Sequence, residues 1–316
     1  MTSITPPPVF IVSSERSGSN LLRKRISEHQ SVYFGPQPVH FFKHLYHITY
    51  QYNNLRDAEN LRALIARAIK MCKGQFGSPS PWTLDIDEEE VLTHLYNHYP
   101  QREYAVFHVA DALMRIYANS QGYKSYVCKD NHIFKYLFQI IHHIPEAKFI
   151  YLYRDPRDYL SSQLKRPTQV KSSYYLSRMW RHEQLEAFQL FYYPSLFDFI
   201  AISYEDLIQD EAYQLQRVCN FLEVEKLLKP KQMIENTDLH EWRNLNKMTI
   251  SSNSGKYKKY LSVGQVKMVE RVCKKEMNHL GYSLEYPKDE SSPSLLLKGF
   301  SLTSGYIQKF FSSILK

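Results

Sequence analysis

Val9-Phe-Ile-Val-Ser-Ser-Glu-Arg-Ser-Gly-Ser-Asn-Leu-Leu22 contains a strand, a small polar loop and the beginning of a helix. Val9 to Val12 form an uninterrupted β-branched and aromatic run, which reads as a buried strand. The run breaks over Ser13 to Asn20, and apolar residues at helical spacing begin with Leu21 and Leu22. A chain of this form turns backbone N–H groups and the positive end of a helix dipole toward one point, where a phosphate is stabilised. Gly18 lets the backbone approach an anion closely. Ser17, Ser19 and Asn20 offer hydroxyl or amide donors, and Arg16 supplies charge. The spacing is neither GxxxxGK[ST] nor GxGxxG, so the segment is a phosphate loop of another kind.

A second segment repeats the design. Lys148-Phe-Ile-Tyr-Leu-Tyr-Arg-Asp-Pro-Arg-Asp-Tyr-Leu-Ser-Ser162 is an apolar strand that ends in Arg154-Asp-Pro-Arg-Asp158 and runs into a helix. Pro156 suits the first helical turn, where no N–H is needed. Between and beyond these segments, strands at Ser125 to Lys129 and Phe197 to Ser203 alternate with helices near 106–119, 134–143, 174–191 and 212–222. That alternation predicts a parallel sheet with crossovers. Two prolines and a glycine force a loop over Tyr33 to Phe42, and Asp87 to Glu90 form an acidic helix start favoured by the dipole.

Order and content of the two segments resemble the sulfotransferases that use 3′-phosphoadenosine-5′-phosphosulfate (PAPS). The likeness is to the bacterial-type, soluble branch, related to carbohydrate and protein-tyrosine enzymes. Ser13 to Asn20 resembles the family's 5′-phosphosulfate loop. Arg154, with Ser162 eight positions later, resembles its 3′-phosphate motif. Ile202-Ser-Tyr-Glu-Asp-Leu207 looks like a later family segment, and Ser251 to Tyr260 like a late cofactor loop. The resemblance implies an α/β, P-loop-like three-layer fold with a central parallel sheet flanked by helices. It also implies a sulfotransferase domain over 1–283, with an inserted helical region at about 40–120, and a polar linker with an amphipathic segment over 284–316.

Sulfuryl transfer is an in-line displacement through a loose, charge-spread transition state, so it needs placed cations, oxygen-binding donors and a base. The resemblance assigns Arg16 to the leaving 5′-phosphate, and Ser17, Gly18, Ser19 and Asn20 to the phosphate and sulfate. Arg154 and Ser162 would hold the 3′-phosphate. The family more often has Thr-Thr at Ser19-Asn20. Lys129, at a strand end in Cys128-Lys-Asp-Asn131, resembles a lysine that contacts the reacting sulfate in protein-tyrosine sulfotransferases. Tyr204 is expected either on the adenine or in the core, and Ser254, Gly255 and Lys256 at the 3′-phosphate or adenine. The base stays open: His40 follows the rigid Gly35-Pro-Gln-Pro-Val39 segment and has the right chemistry, with Glu15 and Asp111 behind it. The expected cofactor is PAPS, with the bisphosphate product PAP, and no metal. A kinase-like phosphotransferase and a non-catalytic PAP-binding protein are the alternative readings.

Composition bounds the rest. The 316 residues are 43% hydrophobic and 23% charged, as in a globular protein with a full core. A net charge of +8 suits a polyanionic cofactor. Its scattered distribution, without a zinc-finger spacing, argues against nucleic acid. Cys72, Cys128, Cys219 and Cys273 lie far apart in apolar stretches, which predicts buried reduced thiols. Met1 to Pro8 has no signal-peptide pattern, so the expectation is a cytoplasmic protein. The acceptor class and oligomeric state stay open. In the C-terminal segment Tyr306, Ile307, Phe310, Phe311, Ile314 and Leu315 share one helical face beside Lys309 and Lys316. Two roles are open for it: docking on its own domain or a second copy, or peripheral attachment to an anionic membrane.

Overall fold

The computed structural model describes residues 5–78, 82–100, 103–167, 169–231 and 254–287. The C-terminal amphipathic segment and residues 251–253 lie outside the described residues. Strand β1 (Val9–Ser13) occupies the centre of the sheet. Around it lie β2 (Tyr33–Phe34), β3 (Ser125–Cys128), β4 (Lys148–Tyr153) and β5 (Asp198–Ser203). The order is β2-β3-β1-β4-β5, and every pairing is parallel.

The uninterrupted apolar run of β1 suits this place, because a central parallel strand is covered on both faces. Val9 and Ile11 point to one face, where α1 (Ser19–His29), α10 (Tyr204–Gln209) and α11 (Glu211–Phe221) pack. Phe10 and Val12 point to the other, toward a larger core. That core is built by α2 (Phe41–Leu45), α3 (Ala58–Cys72), α4 (Glu88–His98), α5 (Val106–Ser120) and α6 (Leu137–His143). Period-two alternation along the strand assigns the faces. A third apolar cluster joins α7 (Pro156–Leu164), α8 (Ser173–Ala187) and α13 (Val263–His279) through Tyr159, Trp180 and Val269. Two further short α-helices lie among the described residues, α9 (Gln189–Tyr192) and α12 (Tyr257–Tyr260).

Register brings the polar loops together. Ser13 pairs with Leu152, and Tyr153 with Ser203, so the chain leaves the sheet at Ser14, Arg154 and Tyr204 along one edge. The strand order reverses at β1, and ligand crevices of open α/β sheets lie at the carboxyl ends beside such a reversal. Pro156 opens α7 as expected, with the Asp155 carboxylate accepting the Arg157 N–H at 2.8 Å as N-cap. All four cysteines are buried thiols. No helix among the described residues is long and apolar enough to cross a membrane.

Candidate active site

The loop after β1 needs unusual backbone. Arg16 has φ +67° and Gly18 φ +87°, both left-handed. A Cβ on Gly18 would collide with Cδ2 of Tyr204, so the position accepts only glycine. Tyr204 is buried, with one edge against Gly18 and the Arg154 guanidinium 4.4 Å over its ring. Arg154 donates from Nη1 to the Arg16 carbonyl oxygen at 2.7 Å, and Arg16 donates from Nε to Ser162 Oγ at 3.1 Å. The two sequence motifs therefore form one structure, and Tyr204 is the buried wedge that joins them. Ser17 is fully buried, yet its hydroxyl has no partner among the described residues. A buried, unsatisfied hydroxyl in a left-handed loop at a helix N-terminus fits an oxyanion. Ser19 begins α1 beside it, with Asn20 following.

Lys129 leaves the end of β3 only 9% exposed, and its Nζ donates to Asn131 Oδ1 at 2.6 Å. Burial lowers its pKa to about 8, although the charges of Asp130 and Glu15 hold it up. Asn131 in turn donates from Nδ2 to Glu15 Oε1 at 3.0 Å, and Arg166 donates to Glu15 Oε2 at 2.6 Å. Burial works to raise the Glu15 pKa, but the Arg166 hydrogen bond and charge outweigh it and leave the carboxyl below its ordinary value. Glu15 is thus a committed anion that orients Asn131, and a poor base.

His40 takes the left-handed conformation at φ +66° and is 9% exposed. Its Nδ1 is hydrogen-bonded to Asp130 Oδ1, and Asp130 Oδ2 accepts the Phe42 N–H at 3.1 Å. A proton on Nδ1 is the tautomer from which this carboxylate accepts, and it is the one that leaves the lone pair on Nε2. The Asn131 N–H, 3.3 Å from the same Nδ1, donates at the shorter 2.8 Å to Asp130 Oδ1. Arg16, His40 and His132, three of the six non-glycine residues with positive φ among those described, border this crevice. Strain of this kind concentrates at functional sites. A small pocket walled by Pro36, Pro38, Phe41, Trp82 and Met114 opens beside His40 and Lys129.

Asp111 is a core carboxylate and not a base. It is fully buried on α5, where Arg115, Tyr99 and Tyr126 all donate to its carboxylate within 2.8–3.1 Å. Its role is to hold the core together. Of Ser254, Gly255 and Lys256, the structure ties Gly255 to α7: Asp158 accepts the Gly255 N–H at 2.6 Å and the Tyr257 N–H at 2.8 Å.

Asp130, Asn131, Asp158, Arg166 and Glu183 are the residues that sequence reasoning left without a role. The first two adjoin Lys129, so adjacency was their only signal. Glu183 on α8 is 5% exposed, and its Oε2 has no partner among the described residues. Burial raises its pKa to about 8 against a hydrogen bond with Ser14, and the charge of Glu15 pushes the same way as burial. Among the described residues no group of three or more histidine, cysteine or carboxylate side chains could hold a metal ion.

A model of the sulfotransferase family matches residues 7–228 of this chain. No curated protein matches it. Among solved structures, the chain is similar to the sulfotransferase domain from the curacin biosynthetic pathway. That likeness is 18% identical, covers 89% of this chain and 100% of the other, and has a TM-score of 0.48. A sulfotransferase from Alicyclobacillus acidocaldarius is 19% identical over 84% of this chain and 95% of its own, with a TM-score of 0.42. Retinol dehydratase in a complex with retinol and PAP is 15% identical over 90% of this chain and 84% of its own, with a TM-score of 0.39.

Proposed function

The chain belongs to the sulfotransferase family, and we propose that it moves a sulfuryl group from PAPS to a hydroxyl or amine of an acceptor. The acceptor is a carbohydrate, a lipid or a small metabolite. The observation that carries the reading is the junction of Arg16, Arg154 and Ser162, held over Tyr204 and Gly18 at one end of the sheet. PAPS, when bound, supplies the sulfuryl group and its leaving bisphosphate nucleotide.

The chain's own residues divide the work. Arg16 is a permanent cation and acts on the leaving 5′-phosphate by charge and not by proton donation. Ser17 and the N–H groups at the start of α1 hold phosphate and sulfate oxygens. Arg154 and Ser162 hold the 3′-phosphate. Lys129, oriented by Asn131, faces the charge that spreads over the sulfuryl oxygens. His40 takes the acceptor's proton at Nε2, and Asp130 stabilises the imidazolium that results. This arrangement performs the electrostatic work with fixed cations.

Thermal stabilisation by PAP, compared with ATP plus magnesium, tests the nucleotide assignment. PAP is expected to raise the melting temperature and ATP with magnesium to do so far less; the reverse order would transfer the chain to the kinase-like reading. A sulfate-sized mass gain in lipid, polysaccharide and small-metabolite extracts, dependent on the chain and on PAPS, identifies the acceptor.

A further inference from the structure

The two phosphate motifs account for Arg154 and Ser162 but not for the last residue of Arg154-Asp-Pro-Arg-Asp158. Asp158 is 2% exposed and stands one helical turn before Ser162, on the same face of α7. Its carboxylate accepts two backbone N–H groups from a segment nearly a hundred residues later. Gly255 bonds Oδ2 at 2.6 Å and Tyr257 bonds Oδ1 at 2.8 Å. The segment is clamped around that point. Arg157 lies 4.6 Å over the Tyr257 ring, the Tyr257 hydroxyl donates to Glu285 at 2.7 Å, and Lys165 sits over the Tyr260 ring. Gly255 takes φ +69°, a conformation that opens its N–H toward the helix. Ser254 and Lys256, on either side of the gripped residue, remain exposed.

We propose that Asp158 is a positioning residue: it fixes the 254–257 segment beside Arg154 and Ser162, so that this segment completes the 3′-phosphate site. The proposal rests on the nucleotide reading above. Two N–H donors need two acceptor oxygens, and only a carboxylate offers both at this spacing. An asparagine in its place presents one carbonyl oxygen and one NH2 group, and the NH2 meets an N–H head on. Asp158→Asn therefore releases one end of the segment while leaving α7 with a side chain of the same size.

Calorimetric titration of the full chain with PAP and with AMP, its 3′-dephospho counterpart, separates the possibilities. Wild type is expected to bind PAP at least tenfold more tightly than AMP. A wild type that binds both equally overturns the nucleotide reading itself, before the latch is tested. In Asp158→Asn the PAP/AMP ratio is expected to fall to threefold or less with the AMP affinity within twofold of wild type. A purely structural role would weaken both nucleotides alike, and that result, or an unchanged ratio, overturns the proposal. Lys256→Ala, a substitution at an exposed position, keeps the proposal falsifiable should Asp158→Asn fail to fold. Its ratio is expected to drop, and an unchanged ratio means the segment does not touch the 3′-phosphate and Asp158 has nothing to position.

Discussion

Lys129→Met is expected to make the protein more stable and nearly inactive. Lys129 is 9% exposed, and burial lowers its pKa from the ordinary 10.5 to about 8. Holding the charge at neutral pH therefore weakens the fold by roughly 3 kcal/mol relative to a neutral side chain. Methionine removes that penalty but also the hydrogen bond to Asn131, and leaves its Oδ1 unpaired, which returns about 1–2 kcal/mol. The expected net gain at pH 7 is about 1–2 kcal/mol, readable as a higher urea midpoint at unchanged slope. Between pH 8 and pH 10.5 the unfolded chain still holds a proton that the folded chain has released. Raising the pH through this window stabilises the wild type, so the advantage of Lys129→Met should vanish by about pH 10. Turnover should fall about 10²–10³-fold, as when a single electrostatic donor is lost from an acyl-transfer site. A variant less stable at pH 7, or equally favoured at both pH values, would refute the buried-cation argument. Retained turnover would refute the placement of Lys129 at the sulfate.

Arg154→Ala should weaken PAP about tenfold or more while sparing AMP, because a charge-assisted contact contributes about 1.5–3 kcal/mol; calorimetry reads the difference. Asp130→Asn should lower kcat with little change in PAP affinity, since it disturbs the His40 tautomer and not the nucleotide; equal loss in both would mean Asp130 is structural. Glu183 keeps its proton up to about pH 8 when folded but releases it near 4.5 when unfolded. Stability should therefore decline from about pH 5 to pH 8, and Glu183→Gln should flatten that decline in urea titrations, a result that an exposed or ionised carboxyl could not give. Removing the residues after Pro293 separates the two roles open for that segment: loss of co-sedimentation with anionic liposomes while PAP binding persists would assign it to the membrane. Destabilisation or monomerisation in a protein that never bound liposomes would assign that segment to docking.

The two strand–loop–helix segments, β1 into α1 and β4 into α7, were legible in the sequence, because each is a contiguous run whose meaning is local. Apolar residues without interruption encode a strand buried on both faces, and Pro156 encodes a helix start at any tertiary address. The buried cysteines followed from their apolar neighbours in the same way. Tertiary structure alone decided which chemistry each polar residue serves. Asp111 and Asp130 look equivalent in the sequence, yet Arg115 and two tyrosines saturate the first in the core, while the second holds His40. Glu15 was a reasonable base until Arg166 proved to lie against it. Asp158 gained its partners from nearly a hundred residues away. A carboxylate's pKa and partners depend on the charges within a few ångströms and on its access to water. The fold creates both by bringing distant segments into contact, so they cannot be written into any local stretch of chain.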